Sequence, residues 1–500
     1  MQYGFVIDQT TCIGCHACTV ACKAENAVPV GDFRTGVKYT EVGLFPDIKR
    51  MFLVQRCNHC TNAPCVTICP VLALEKRDDG IVDLDRDACI GCRACMQACP
   101  YDAIYLNEDT GSVEKCHFCA HRVEVGLQPA CVNVCPTESI ISGDFDDDDS
   151  IVWGLIRDKE TKVRRKEQGT KPNVRYIGAD DISLKPGNAK RPPMYLWSDR
   201  PGDKPEDWPE SVPPIDDAVV VLDSGHKIEW GWPVAFYMVT KGIAAGAAIC
   251  APFSGKFFGL SGTVERYGPE IVALFFTLIT CGLLVEDLKK PMRFYRMITR
   301  PNWNSWLVKG GIILTAFILL TVVIIAGRWM GMDALADIAR WGNVLLGIAT
   351  AGYTAFLFAQ CKGRDLWEDR MMLYHLIAQA VMCGGVVLFG LSIVQWVSFF
   401  HSDWMIAKFV IATSILFHFA MVAHARFQKH ATENARQAAG FLAKVRLGSF
   451  LAFRDSILIG IVGGLLLLFM WPGAAWIPAL FGLFLYEYAF IRAGQLPPLS

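Results

Sequence analysis

Apolar and polar positions follow two different rules along this chain of 500 residues. From about residue 233 onward apolar residues form eight blocks, 233–253, 270–286, 309–327, 341–361, 373–397, 404–425, 449–470 and 474–491, parted by short polar segments. Blocks of about 20 residues let an α-helix cross a hydrocarbon layer of roughly 30 Å. The pattern therefore predicts an all-α bundle of eight transmembrane helices over 233–500. Before residue 150 no such block occurs. Short β-prone runs, Phe5–Ile7, Ile81–Leu84 and Ala103–Leu106, flank cysteine-dense loops, which predicts a small α+β domain over 1–150. Residues 151–232 follow neither rule. An acidic run at Asp144 and Asp146–Asp149 leads into a basic stretch, Arg157–Lys166, and then into prolines around Pro192–Pro193 and from Pro201 to Pro214. Proline at this density predicts an extended, semi-rigid strap that lies on a partner subunit. Trp230 and Trp232, directly before the first apolar block, suit a membrane interface.

Sixteen of the twenty cysteines lie between Cys12 and Cys135, in four groups of four. The groups are Cys12, Cys15, Cys18, Cys22; Cys57, Cys60, Cys65, Cys69; Cys89, Cys92, Cys95, Cys99; and Cys116, Cys119, Cys131, Cys135. Pro70, Pro100 and Pro136 follow three of them. Three close thiolates and a fourth beside a proline form the ligand run of bacterial 4Fe–4S ferredoxins, whose fourth cysteine serves the neighbouring cluster. Sixteen thiolates at four per cluster predict four 4Fe–4S clusters, a wire for electrons. An internal repeat agrees: Asp8-Gln-Thr-Thr precedes Cys12-Ile-Gly-Cys15, and Asp85-Arg-Asp-Ala precedes Cys89-Ile-Gly-Cys92. Gly14 and Gly91 predict turns where a side chain would collide with the cluster. Zinc sites usually pair two C-x-x-C knuckles across a longer loop, whereas three ligands here sit within seven residues. Disulfides need an oxidising compartment, and Met1–Thr11 has no apolar core of signal-peptide length. His16, His59, His117 and His121 are expected to support the loops or face solvent, because the cysteines already complete the clusters. Cys250, Cys281, Cys361 and Cys383 are expected to be small packing residues.

The cysteine segment resembles the four-cluster electron-transfer subunit of the DMSO reductase superfamily. The resemblance implies crossed ligation: Cys12, Cys15 and Cys18 with Cys135, and Cys116, Cys119 and Cys131 with Cys22. Likewise Cys57, Cys60 and Cys65 would go with Cys99, and Cys89, Cys92 and Cys95 with Cys69. It also implies a molybdenum or tungsten bis-pterin catalytic subunit as partner. Lys23 departs from the pattern, standing where the other groups have proline.

A net charge of −1 gives no affinity for nucleic acid. Charge is nonetheless uneven in the membrane half. Eight spans put both chain ends on one side, and that side carries Lys289, Lys290, Arg293, Arg296, Arg300, Lys309, Lys362, Arg364, Arg370, Arg426, Lys429, Arg436, Lys444, Arg446 and Arg492. The opposite loops offer Lys256, Arg266, Arg328 and Arg340. Fifteen against four makes the first side cytoplasmic. The chain is thus expected to be a multi-pass protein of the cytoplasmic membrane, with its cysteine domain facing the cytoplasm.

Polar residues inside spans are costly and mark function. Counted from the cytoplasmic helix ends, Lys241 and Tyr353 lie roughly 12 Å deep, and Gln379, His418 and Asp455 roughly 9–10 Å deep. Asp287 and His375 are counted nearer the cytoplasmic mouth. These seven are the candidate quinone site, since reduction of a quinone needs electrons from the wire and protons from titratable groups. The alternatives are structural: Lys241 or Arg454 pairs with Asp455, and Gln379 and His418 bond between helices. A b-haem would need histidine pairs at one depth, and His375 and His418 are counted roughly 6 Å apart. Lys241-Gly-Ile-Ala-Ala-Gly246, Asp287-Leu-Lys-Lys-Pro291-Met-Arg293-Phe294 and Gly352-Tyr353-Thr354 resemble the NrfD, or polysulfide reductase, membrane-subunit family. That resemblance implies an eight-helix core that binds quinone, menaquinone or ubiquinone, without haem.

Together these features predict a fused electron-transfer and membrane-anchor subunit of an oxidoreductase, linking a cytoplasmic molybdenum or tungsten enzyme to the quinone pool. An ion-translocating module is the alternative of another class. It would need a polar path from Asp333, Asp337 and Asp403 to the layer near Tyr353. A nickel–iron hydrogenase is a further candidate partner.

Overall fold

The structure, a computed structural model, describes residues 1–185, 189, 218–223, 226–394 and 404–499. The prolines from Pro192 to Pro214 and Asp403 lie outside these residues. The N-terminal half is built from strands β1 (Tyr3–Asp8), β2 (Thr35–Val42), β3 (Lys49–Arg56), β4 (Leu74–Lys76), β5 (Val82–Leu84), β6 (Ile104–Asn107), β7 (Ser112–Lys115), β8 (Ile140–Asp144), β9 (Thr161–Lys162), β10 (Val174–Ile177) and β11 (Val219–Leu222). The three β-prone runs fall in β1, β5 and β6. Hairpins β4–β5 and β6–β7 each follow a cysteine loop and a one-turn helix, Pro64–Ile68 and Ala94–Ala98 respectively, and the two helices pack together. This is the duplicated ferredoxin-like unit.

The boundary expected at residue 150 falls inside a packed unit. β1 pairs in parallel with β10 and antiparallel with β8, in a sheet ordered β8-β1-β10-β9. Val174 and Tyr176 of β10 are fully buried. The strand is only four residues long and contains Arg175, so the charged stretch around it hid a central strand. β11 joins the β2–β3 hairpin beside β2.

Among the described residues, eight helices are long and apolar enough to cross a membrane, each over one of the expected blocks. They are span 1 (Trp232–Phe258), span 2 (Gly262–Glu286), span 3 (Trp306–Trp329), span 4 (Asp333–Ala359), span 5 (Met372–Ser392), span 6 (Met405–Phe427), span 7 (Ala452–Met470) and span 8 (Pro472–Gln495). Spans 2 and 4 each begin eight residues before their apolar blocks, because backbone hydrogen bonding continues a helix where hydropathy has ended. Arg266 and Arg340 therefore sit on helices rather than in loops. Span 1 is the central helix, with 89% of its apolar stretch buried against 28% for span 2. It crosses span 5 at backbone contact: a Cβ on Gly246 would lie 1.8 Å from the Ala380 carbonyl oxygen. Only glycine allows helices so close.

One hydrophobic core runs from the cysteine loops into spans 1, 4, 5, 6 and 8, with Trp230 stacked on Trp367 at the boundary. The halves are also bonded directly. Arg93 Nη2 donates to Asp287 Oδ1 at 2.6 Å. The amide of Lys290 donates to the Ile90 carbonyl at 3.2 Å, and Arg293 Nη1 to that of Cys89 at 3.2 Å. Asn302 Nδ2 reaches the Cys69 carbonyl at 2.8 Å and the Val66 carbonyl at 3.1 Å. Gly91 shows why this seam needs glycine. Its φ is +71°, and a Cβ there would lie 2.7 Å from Lys289 Cβ and from the Gly111 carbonyl oxygen. The docked membrane segment and the Gly111 backbone together exclude a side chain here. At Gly14 the obstacle is likewise protein, the Phe52 ring at 2.4 Å.

Candidate functional site

None of the twenty cysteines is joined in a disulfide. The repeat is visible in the backbone that presents them: His16 and Arg93 hold φ near +60° after Gly14 and Gly91 near +70°, and each precedes a short helix, Ala17–Asn26 or Ala94–Ala98. The turn brings each loop's thiols to one side. The thiols then meet across groups. Cys12 has Cys135 and Cys15 as electrostatic neighbours, and Cys18 has Cys12. Cys22, Cys116, Cys119 and Cys131 line one small cavity. Cys60 and Cys65 have Cys57 and Cys99 as neighbours. Cys69, Cys89, Cys92 and Cys95 line a second small cavity.

These four sets also form a line. Cys18 of the first neighbours Cys131 of the second, Cys116 of the second neighbours Cys57 of the third, and Cys65 of the third neighbours Cys95 of the fourth. The first set ends at the surface with Cys15 exposed. The fourth is gripped by Asn302, Lys290 and Arg293 of the membrane half.

The donor set fits iron–sulfur clusters. Among the described residues no three His, Cys, Asp or Glu side chains converge on one ion position. Four thiolates on one zinc would stand only about 3.8 Å apart, given Zn–S bonds of about 2.3 Å. A cubane needs them further apart, each on its own iron. Burial pushes the Cys18 thiol up to about 11 and those of Cys92 and Cys99 up to about 12. As thiolates they need a cationic core to sit on. Cys135 is different: burial raises it, but the amides of Ile140, Thr137 and Ser139 together bring it below its ordinary value.

The four histidines beside the cysteines have surroundings of their own. Burial holds His59 well below its ordinary value, so it stays neutral, and its Nδ1 accepts from the Val82 amide at 3.1 Å. Burial lowers His117 to about 4. His121 pairs with Glu25 at 2.8 Å near the surface, and His16 packs on Tyr39.

Inside the bundle, five of the seven candidate residues gather and two do not. His375 Nε2 and His418 Nδ1 share a hydrogen bond of 2.7 Å. Gln379 Nε2 lies 3.2 Å from His375 Nε2 and donates to Glu487 Oε1 at 2.7 Å. Tyr486 packs against both imidazoles. One helix layer away, Lys241 Nζ donates to the Ala351 carbonyl at 3.2 Å and to Thr354 Oγ1, and lies 4.9 Å over the Tyr353 ring. Glu487 is the acidic group that interacts with Lys241. The two groups therefore form one buried polar layer among spans 1, 4, 5, 6 and 8.

Asp287 is committed to Arg93 at the domain junction. Asp455 accepts from Arg454 Nε at 2.8 Å and from the Leu451 amide at 2.9 Å, at the start of span 7. The Lys241–Asp455 pair does not form. His375 and His418 were counted at different depths, yet they touch, because depth measured from helix ends assumes that the ends are level. Their imidazoles bond to each other directly. Glu487 was overlooked, although a carboxylate inside the eighth apolar block was signal enough.

Residues 9–27 match a 4Fe-4S binding domain family and residues 48–145 the 4Fe-4S dicluster domain family. Residues 220–498 match the family Polysulphide reductase, NrfD. The N-terminal part is similar to a tetrathionate reductase subunit of Salmonella typhimurium, 43% identical over 202 residues, which are 40% of this chain and 80% of that protein. The iron-sulfur subunit of a putative dimethyl sulfoxide reductase of Halobacterium salinarum is 43% identical over 220 residues, 38% of this chain and 84% of the relative. The NrfC protein of Escherichia coli is 41% identical over 177 residues, 35% of this chain and 79% of the relative. With its cysteine loops in a ferredoxin-like unit docked directly on eight membrane helices, this protein belongs to the NrfD polysulphide reductase family, as a fusion of a 4Fe-4S electron-transfer domain and an NrfD membrane module.

Proposed function

We propose that the protein carries electrons through four 4Fe–4S clusters between a molybdenum or tungsten bis-pterin catalytic subunit and a quinone. The observation that carries this reading is the line of four thiol sets, which starts at exposed Cys15 and ends against the membrane half. The ligands would be Cys12, Cys15, Cys18 and Cys135; Cys22, Cys116, Cys119 and Cys131; Cys57, Cys60, Cys65 and Cys99; and Cys69, Cys89, Cys92 and Cys95. When bound, each cluster accepts and passes on one electron. The catalytic partner docks at the first set, where Ile13, Val20 and Val134 are exposed apolar residues. The names of relatives, subunits of tetrathionate and selenate reductases among them, support a partner of this class.

At the other end, His375, Gln379, His418 and Glu487 hold the quinone ring's oxygens and move its protons, with Lys241 beside them. The basic bias of the junction side supports a cytoplasmic position for the iron–sulfur domain. Purification from native membranes with metal analysis tests the reading. A co-purifying protein with molybdenum or tungsten, four irons per thiol set and quinone-linked electron transfer are expected. Nickel in the co-purifying protein would point to a hydrogenase instead, and a stable single chain without any such partner refutes the proposal.

A second reading, an ion-translocating module, is favoured by one observation. A polar seam runs from the opposite end of the bundle to Lys241. Arg266 pairs with Asp333 at 2.6 Å, Arg328 with Asp337 at 2.8 Å and Arg340 with buried Glu270 at 2.6 Å. Asn343 then bonds Thr321 at 3.1 Å, and buried Thr350 and Thr354 continue along span 4. Asn343 Oδ1 and Thr350 Oγ1 have no protein partner, as expected where water bridges buried groups. In proteoliposomes, Glu270→Gln should abolish proton movement and spare quinone reduction. Wild-type protein that moves no protons beyond those of the quinone dismisses this reading.

A further inference from the structure

Arg56 is a buried cation with no carboxylate. It ends β3, one residue before Cys57, and its side chain is among the largest fully buried ones in the protein. Nη1 donates to Cys131 Sγ at 3.2 Å, and the guanidinium lies 4.4 Å over the Phe5 ring. Its electrostatic neighbours are Cys131, Cys116 and Cys18, and it also acts on Cys22. Cys18 belongs to the first thiol set, and Cys131, Cys116 and Cys22 to the second. The guanidinium thus bridges two sets. Among the described residues no acidic side chain pairs with it, and its Nε and Nη2 have no protein partner.

Three other buried cations of this domain have oxygen partners. Arg34 is neutralised by Glu114 at 2.7 Å, and Arg93 by Asp287 at 2.6 Å. Lys115 Nζ donates to the carbonyls of Val82 and Cys116. A guanidinium stays charged at any pH the protein meets, and burying it unpaired is costly. The negative charge available to it lies on the two thiolate sets. An apolar side chain would fill the space at lower cost, so the charge has a use.

We infer that Arg56 is the shared counter-cation of the first and second clusters, raising the reduction potential of both. Each electron that reaches a cluster adds one negative charge, and a fixed cation with a hydrogen bond to a ligand sulfur favours that reduced state. Arg56 is a positioning residue that binds neither substrate nor iron. Its effect falls on the partner-facing end of the wire and leaves the membrane-facing end alone. The inference rests on the four-cluster reading, and iron content with the number of EPR signals in the wild-type holoprotein tests that reading separately.

The test is an EPR-monitored redox titration of the full-length holoprotein. Arg56→Gln should keep the full iron content while two of the four midpoint potentials fall and two stay unchanged. Arg56→Lys should restore most of the shift, because it restores the charge. Unchanged potentials, four potentials moving alike, or Arg56→Lys behaving as Arg56→Gln would each overturn the inference. Should the variants lose iron, pulsed EPR of wild-type protein labelled with 15N-arginine decides. A nitrogen coupling on one reduced cluster is expected, and its absence refutes the hydrogen bond on which the inference stands.

Discussion

Glu487 shows how one side chain can change the meaning of its neighbours. Without it, His375, Gln379 and His418 are a hydrogen-bonded trio that could serve packing alone. Its carboxylate accepts from Gln379 and lies within electrostatic reach of Lys241, and it supplies a proton carrier to a layer that otherwise has only imidazoles and an ammonium. Glu487→Gln keeps shape and hydrogen bonding but removes that proton. Quinone turnover should fall by about 10²-fold, a usual loss for a general acid–base group, with the iron content unchanged. At the cysteine end, Cys135→Ser should cost the cluster that Cys12 helps to hold, removing about a quarter of the iron. Loss of the cluster expected at Cys116 instead would contradict the crossed arrangement.

At the scale of elements, existence was legible in the sequence and boundaries were not. Eight apolar blocks became eight spans, since every backbone amide in lipid must be satisfied within its own helix. Depth was illegible, because a tilted helix puts residues from different counts side by side, as His375 and His418 show. The crossing of spans 1 and 5 fixes how far Lys241 stands from Gln379, and it depends on Gly246. Gly246→Ala would push the Ala380 backbone away, at a cost of about 1–3 kcal/mol for an overpacked contact. The expected readouts are a lower Tm in detergent and slower quinone turnover, with the four EPR signals retained. Strand β10 teaches the same lesson in the other half. Three apolar residues and Arg175 in a charged stretch carry too little pattern to be seen, although their pairing with β1 places β10 inside the sheet.

For the whole molecule, the decisive feature is the junction. Basic residues between spans 2 and 3, which read as a topological signal, also grip the loops of the fourth thiol set by their carbonyls. Fusion in one polypeptide gives proximity, but these bonds set orientation. Asn302→Ala would leave the buried Cys69 carbonyl, and those of Val66 and Thr67, without this donor, at a cost of about 1–3 kcal/mol. The docked state should loosen, so limited proteolysis between the halves should speed up and reduction of the clusters by quinol should slow. Full iron content and normal membrane insertion are expected alongside. Unaltered quinol kinetics would show that the junction tolerates the loss.

The amino-acid sequence alone determined the number of spans, the ferredoxin-like units, the sixteen cysteines as one ligand system and the family of each half. All of these are written in local periodicity or in spacing, which survive without three-dimensional context. Tertiary structure decided which cysteines share a set, which set meets the membrane, that Asp287 and Asp455 stand apart from the polar layer, and that Arg56 sits unpaired between two sets. Those facts depend on contacts between residues tens or hundreds of positions apart. Such contacts are fixed by how helices tilt, how strands order themselves in a sheet and where two domains touch, and no local pattern in the sequence encodes them.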